Sequence, residues 1–228
     1  MLLPLAAIWQ QQATKTRGQD RAASYGDCAR SWIHKKVEIY IQGFTPEEKG
    51  LMHNDGLVIV FTGDGKGKTS AALGVALRAV GHRMYVSVVQ FLKSSIATGE
   101  ARVAERLAPE LEFISLGRGF VNCCGSTTPL AEHRKAAGEA LTLARQRMLS
   151  GAWDVLILDE INTAVALGLV DIADVLAMVT EKPAKLHLIL TGRDVHPDLV
   201  AIADMVTEMR SIKHPYDSGL PARKGIDF

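Results

Sequence analysis

From Leu57 onward the chain alternates short, continuously apolar runs with longer stretches of helical period. Val58-Ile59-Val60-Phe61, Val86-Ser87-Val88-Val89, Val155-Leu156-Ile157-Leu158 and Leu186-His187-Leu188-Ile189-Leu190 have the length of strands and lack polar-out alternation. Runs of this kind suit strands buried on both faces, as in a parallel sheet covered by helices. Weaker strand signals occupy Leu111 to Leu116 and Met205 to Met209. Leu73, Ala76, Leu77 and Val80 recur at i, i+3, i+4 and i+7, with Gly81 as a natural stop. Thr128 as N-cap with Pro129 at the first helical position opens a second helix. That helix carries Ala137, Leu141, Ala144 and Met148 on one face and ends near Gly151. Asp171 to Thr180 and Asp198 to Ala203 read as two further helices. Such alternation predicts an α/β fold with right-handed crossovers.

Residues 1–50 read differently. Gln10 to Gln12, Thr14 to Gly18 and Ser24 to Asp27 are polar without sustained period, and only Val37, Ile39 and Ile41 hint at a short strand. We expect an N-terminal extension, partly ordered at best, followed by one domain over residues 51–228. A hydrophobic fraction of 47% is ample for its core. A net charge of +1 gives no global basic field for nucleic acid or a membrane surface. No apolar run is long enough to span a bilayer, and Met1 to Ile8 lacks the basic flank of a secretory signal. Cys28, Cys123 and Cys124 form neither a disulfide framework nor a zinc spacing. A reducing, cytoplasmic compartment is therefore expected.

The chemistry enters between the first strand and the first helix. Gly63-Asp64-Gly65-Lys66-Gly67-Lys68-Thr69-Ser70 follows a buried run and opens an amphipathic one, the context a phosphate-binding P-loop requires. Gly63, Gly65 and Gly67 are expected to take positive φ and turn backbone amides towards phosphate oxygens. The helix start near Lys68 adds its dipole and free N–H groups. Lys68 supplies a point cation, and the Thr69 hydroxyl a ligand for the Mg²⁺ that accompanies a triphosphate. The loop is one residue shorter than the general motif, with Thr62 where its first glycine belongs. The fold class is thus α/β, P-loop NTPase-like (RecA-like): three layers, with a mainly parallel sheet flanked by helices.

A second buried run ends in Asp159-Glu160. Ligands of open α/β sheets sit at the carboxyl ends of strands, so these carboxylates are expected beside the loop, holding metal directly or through water. An ATPase would instead use such a glutamate to orient an attacking water. Gln90 and Arg193 end or follow strands in the same favourable way. Arg78 fits a ligand contact and a solvated helix position equally. His187, inside an apolar strand, reads as a satisfied core histidine, His133-Arg134-Lys135 as a solvated helix face, and His214 with Asp217 as a structural loop.

The segment Thr62 to Gly74, with Arg78-Ala79-Val80-Gly81 and Val88-Val89-Gln90-Phe91-Leu92-Lys93, closely resembles the ATP:corrinoid adenosyltransferases of the CobA/CobO/BtuR type. The resemblance continues through Gly117-Arg118-Gly119-Phe120, Leu158-Asp159-Glu160, Thr191-Gly192-Arg193, the stretch from Lys213 to Gly219 and the stretch from Lys224 to Phe228. The shortened loop with a lysine between its glycines is itself a trait of that family.

The resemblance implies that Co(I) of a reduced corrinoid attacks the 5′ carbon of ATP, with release of triphosphate. The acceptor is cobalamin or cobyrinic acid a,c-diamide, and the product is adenosylcobalamin or its precursor. It assigns Lys68, Thr69 and Glu160 to catalysis, and Gly63 to Ser70 with Arg78, Gln90 and Arg193 to the nucleotide. Thr69, Glu160 and Asp159 go to Mg²⁺, with Glu160 the foremost carboxylate, and Phe120 and Asn122 to the corrinoid. It further implies a homodimer and an electron-donating reductase such as a flavoprotein. Family members commonly carry tryptophan two residues after the aromatic matched by Phe120; here Asn122 stands there, followed by Cys123 and Cys124. Two other readings compete: an ordinary P-loop phosphotransferase or ATPase, and a nucleotide-binding regulatory module. No arginine-rich lid favours a kinase, and no basic track favours a nucleic-acid motor.

Overall fold

The apolar runs become the inner strands of one sheet because their side chains are covered from both sides. A computed structural model of the protein describes residues 55–93, 98–119, 121 and 128–226. Six strands, β1 (Val58–Thr62), β2 (Val86–Gln90), β3 (Leu111–Ser115), β4 (Val155–Asp159), β5 (His187–Thr191) and β6 (Met205–Glu208), form a sheet ordered β3-β2-β4-β5-β1-β6. Every pairing is parallel. β1, β2 and β4 are buried along their whole length, whereas the edge strand β6 is exposed throughout. Leu156, Leu158, Leu188 and Leu190 are fully inaccessible, each contributing about 1.5–3 kcal/mol relative to exposure.

Helices cover both faces: α1 (Lys68–Gly81), α2 (Gly99–Arg106), α3 (Leu130–Leu149), α4 (Ile161–Ala166), α5 (Ile172–Thr180) and α6 (Pro197–Ile202). On one face, Ala72, Ala76 and Ala79 of α1 and Ala104 of α2 join a core with Ile59, Phe61, Val88, Ile157 and Ile189. On the other, Ala137, Ala140, Ala144 and Met148 of α3, with residues of α4 and α5, join Val60, Val89, Leu156, Leu158 and Leu190. Odd and even strand positions thus feed opposite layers, as the pleat requires. The result is the three-layer α/β arrangement expected from the sequence.

Several local expectations change. The buried face of α1 is Lys68, Ala72, Ala76 and Ala79 rather than the leucine stripe, and Leu77 is 64% exposed. Small side chains let the helix approach the sheet, which turns Leu73 and Leu77 towards a groove. α3 starts at Leu130, because Pro129 (ψ 146°) is still extended and makes no side-chain cap. Within the stretch read as solvated, His133 is 3% exposed; only Arg134 and Lys135 face outwards. α2 and α4, of 8 and 6 residues, were not predicted. His187 accepts the Leu57 N–H on Nδ1 at 3.1 Å, satisfied as expected but half-buried at the start of β5 rather than in the core. The expected extension over residues 1–50 lies outside the described residues, as do Phe120, Asn122, Cys123 and Cys124. Among the described residues no helix is long and apolar enough to cross a membrane.

Candidate active site

Strand register sets out the site before any side chain is considered. Gln90 lies opposite Ser115 on one side and Asp159 on the other, and Phe61 lies opposite Thr191. The carboxyl ends of β3, β2, β4, β5 and β1 therefore form one row, and the glycine loop leaves from the end of β1.

The loop is held from behind. Gly63 and Gly67 have positive φ (95° and 121°), as expected, but Gly65 does not. Gly65 is glycine for a different reason: a Cβ there would lie 2.7 Å from the Arg210 carbonyl carbon. Its N–H, expected to face phosphate, donates instead to the Met209 carbonyl at 2.7 Å, while the Met209 N–H donates to Thr62 O at 2.8 Å. The segment leaving β6, which does not line the cavity described below, thus braces the loop.

Lys68 is only 8% exposed and donates to the carbonyls of Gly63 at 2.6 Å and Gly65 at 2.9 Å. Burial lowers its pKa and outweighs the Glu160 carboxylate, the largest opposing influence. An ammonium has three donors, so one is left for a ligand.

The two carboxylates at the end of β4 have different surroundings. Asp159 is fully buried and accepts on both oxygens: Thr69 Oγ1 at 2.8 Å and Thr191 Oγ1 at 2.7 Å on Oδ1, and Gln90 Nε2 at 2.8 Å on Oδ2. Ser115 Oγ donates to Gln90 Oε1 at 2.7 Å, which closes the chain. Asp159, expected to hold metal directly or through water, has three of its roughly four acceptor sites taken by these donors and aims the Thr69 hydroxyl. Gln90, expected at the nucleotide, is 1% exposed and belongs to the same support. Glu160 turns the other way. It has the left-handed backbone (φ 66°, ψ 21°), receives a hydrogen bond from Thr163 Oγ1 on Oε2 at 2.6 Å, and lines the cavity.

That cavity has a volume of about 600 Å³, within the roughly 300–1,000 Å³ of small-molecule sites. Lys66, Lys68, Thr69, Ser70 and Glu160 form its charged end; Leu73, Leu77, Val103 and Leu107 form an apolar wall between α1 and α2. Lys93, near the end of β2, also lines it. Arg193 reaches the loop, its Nη2 donating to the Asp64 carbonyl at 3.4 Å. Arg78 does not: it is exposed in the last turn of α1, about 15 Å along the axis from Lys68. Ser115, Thr191 and Thr163 were missed as functional positions. Thr191 at least ends an apolar strand, the signal that had singled out Gln90.

A divalent cation suits the residues that face the cavity. The only proton of the Thr69 hydroxyl goes to Asp159, which leaves its lone pairs for a hard cation. Glu160 adds a carboxylate oxygen, and a bound triphosphate with water would complete an octahedral oxygen set. Among the described residues no group of three or more His, Cys, Asp or Glu could hold a metal by itself. Mg²⁺ brought in with phosphates does not need one.

The strand–loop–helix arrangement and its lysine define a P-loop nucleotide-binding protein. More narrowly, the chain belongs to the ATP:corrinoid adenosyltransferase family BtuR/CobO/CobP, whose profile matches residues 54–228. It is 39% identical over 175 residues to a corrinoid adenosyltransferase of Sinorhizobium sp, covering 76% of this chain and 80% of that one. It is 38% identical over 174 residues to the corrinoid adenosyltransferase CobA of Salmonella typhimurium, and 36% identical over 173 residues to the corrinoid adenosyltransferase of Escherichia coli K12. Both alignments cover 76% of this chain and 86% of the relative. Flagellar accessory protein FlaH of Methanocaldococcus jannaschii superposes with a TM-score of 0.42 at 16% identity over 68% of this chain and 71% of that one, too distant a likeness to bear on function.

Proposed function

We propose that the protein transfers the 5′-deoxyadenosyl group of ATP to Co(I) of a reduced corrinoid, cobalamin or cobyrinic acid a,c-diamide. The carrying observation is one cavity that joins a phosphate loop and a carboxylate to an apolar wall, in a chain of the corrinoid adenosyltransferase family. The cobalt lone pair forms the bond to C5′. The C5′–O bond breaks, its electrons leave on triphosphate, and cobalt is formally oxidised by two electrons.

The protein's part is positioning and charge stabilisation. Lys68, Lys66, Ser70 and the loop amides other than that of Gly65 meet negative charge growing on the leaving triphosphate, where prepositioned donors are most effective. Thr69 and Glu160 would hold Mg²⁺, which supplies Lewis-acid neutralisation of the phosphates when bound. Asp159, Gln90 and Ser115 keep the Thr69 hydroxyl aimed. Arg193 adds positive charge over the loop. Fixing C5′ and cobalt in line accounts for several kcal/mol of barrier lowering, by analogy with well-oriented intramolecular reactions. Because Co(I) is the nucleophile, the reaction needs an electron donor upstream, and a flavoprotein reductase fits that need. The family resemblance supports a homodimer, and the thiol usage a cytoplasmic setting.

Incubation with ATP, Mg²⁺ and chemically reduced cobalamin tests the proposal. Adenosylcobalamin with inorganic triphosphate is expected; ADP with phosphate would overturn it in favour of a phosphotransferase or ATPase. On the corrinoid side, Phe120→Ala is expected to impair reaction from Co(II) substrate more than from prereduced Co(I). Equal loss in the two assays would remove Phe120 from that role.

A further inference from the structure

Glu160 sits in a backbone conformation that residues with side chains rarely adopt (φ 66°). Two threonines hold it there from different elements. Thr191 Oγ1 accepts the Glu160 N–H at 3.0 Å, and Thr163 Oγ1 donates to Glu160 Oε2 at 2.6 Å. The Thr163 oxygen also accepts the N–H of Arg193 at 2.9 Å. That N–H occupies one lone pair of the hydroxyl and so orients its single proton towards the carboxylate. Arg193 in turn reaches Asp64 in the loop. The junction is tight because residue 192 is glycine (φ 133°): a Cβ there would lie 2.7 Å from Thr163 N and 2.8 Å from Thr163 Oγ1.

We propose that Thr163 is a positioning residue that ties the Glu160 carboxylate to the Arg193 turn, so that the cation ligand and the arginine beside the phosphate loop are set as one unit. The inference rests on Glu160 as a cation ligand, as proposed above. Without the hydroxyl, Glu160 keeps its backbone turn but loses its fixed rotamer, and the Arg193 N–H loses its acceptor. Thr191 cannot compensate, because it grips the Glu160 backbone and not its carboxylate.

The test is Mn²⁺ affinity of the full chain saturated with ATP, read by electron paramagnetic resonance without corrinoid. Thr163→Val keeps the shape and removes the hydroxyl; affinity is expected to fall roughly 10–100-fold, the usual effect of losing a group that orients a metal ligand. Thr163→Ser keeps the hydroxyl and is expected to restore most of the loss. Gly192→Ala, which forces the Arg193 turn off Thr163, is expected to weaken Mn²⁺ binding with the Thr163 side chain intact. Glu160→Ala is the reference. Undiminished affinity in Thr163→Val beside a loss in Glu160→Ala overturns the positioning role alone. Undiminished affinity in Glu160→Ala overturns the cation reading, and the role of Thr163 with it.

Discussion

The two ends of the cavity are built by opposite means. At the phosphate end the central groups are fixed by directional bonds: Lys68 by two carbonyls, Thr69 by Asp159, and Asp159 by Thr191 and Gln90 as well. The opposite wall is made of alkyl groups, among them Leu77 at 64% and Val103 at 43% exposure, held only by the helices that carry them. Hydrogen bonds to ions fail when one atom changes, whereas an apolar surface loses contact in proportion to area. One end is therefore specified atom by atom and the other by shape. That suits a reaction whose charge develops on the triphosphate.

The contrast is broken most directly at Lys68. Lys68→Ala is expected to lower adenosylcobalamin formation by at least about a hundredfold, the usual cost of removing one prepositioned transition-state donor. Near-normal turnover would sink the assignment. Asp159→Asn comes next. An amide cannot accept from Thr69, Thr191 and Gln90 together, so a buried donor is left unpaired at about 1–3 kcal/mol, visible as a lower thermal midpoint together with weaker Mg²⁺ dependence of turnover.

A pH profile sharpens the same end. Burial holds the Lys68 pKa below the ordinary lysine range, so the empty loop loses its positive charge earlier on the alkaline side than a free lysine would. ATP binding is expected to show that alkaline limb, and Lys68→Arg, which stays charged, to abolish it. For stability the sign is the reverse. Between the folded and unfolded pKa values the unfolded chain binds more protons, so stability due to this group rises with pH. Below that window the full cost of the buried charge is present. The smallest effect is expected at the apolar wall: Leu77→Ala should change stability by less than about 0.5 kcal/mol, as for other exposed positions. The same variant should raise the KM for ATP only modestly in steady-state assays. A loss comparable to that of Lys68→Ala would erase the distinction between the two ends.

The four inner strands were legible because they are apolar on both faces and carry no competing period, whereas the edge strands β3 and β6, half-buried and exposed, gave weaker signals. The glycine loop was legible because its residue types are tied to its place between a strand and a helix. The support behind it was not. Ser115 to Gln90 spans 25 residues of sequence and Gln90 to Asp159 spans 69, and only strand register brings them together. Sequence could show that Gln90 ends a strand, but not that its amide faces a carboxylate instead of a nucleotide. The misjudged face of α1 has a related cause. Leucines carry more hydrophobicity than alanines, yet the sheet accepts the smaller residues because they permit closer approach. Thr163 was invisible because its role depends on the left-handed turn at Glu160 and on the absence of a Cβ at Gly192.

The brace between Gly65 and Met209 also bears on the order in which the molecule can be made. β2, β3 and β4 are consecutive among the described strands and pair in one block, but β1 lies between β5 and β6, which follow all of them in sequence. The backbone of Val58 is bonded to Asp204 across 146 residues, a long closure whose entropy must be met before the contact forms. The glycine loop therefore leaves the ribosome early and acquires its shape late. Nucleotide binding can stabilise only a state in which that closure is complete. ATP should rescue weakened variants of the finished chain and do nothing for nascent chains that stop short of Met205.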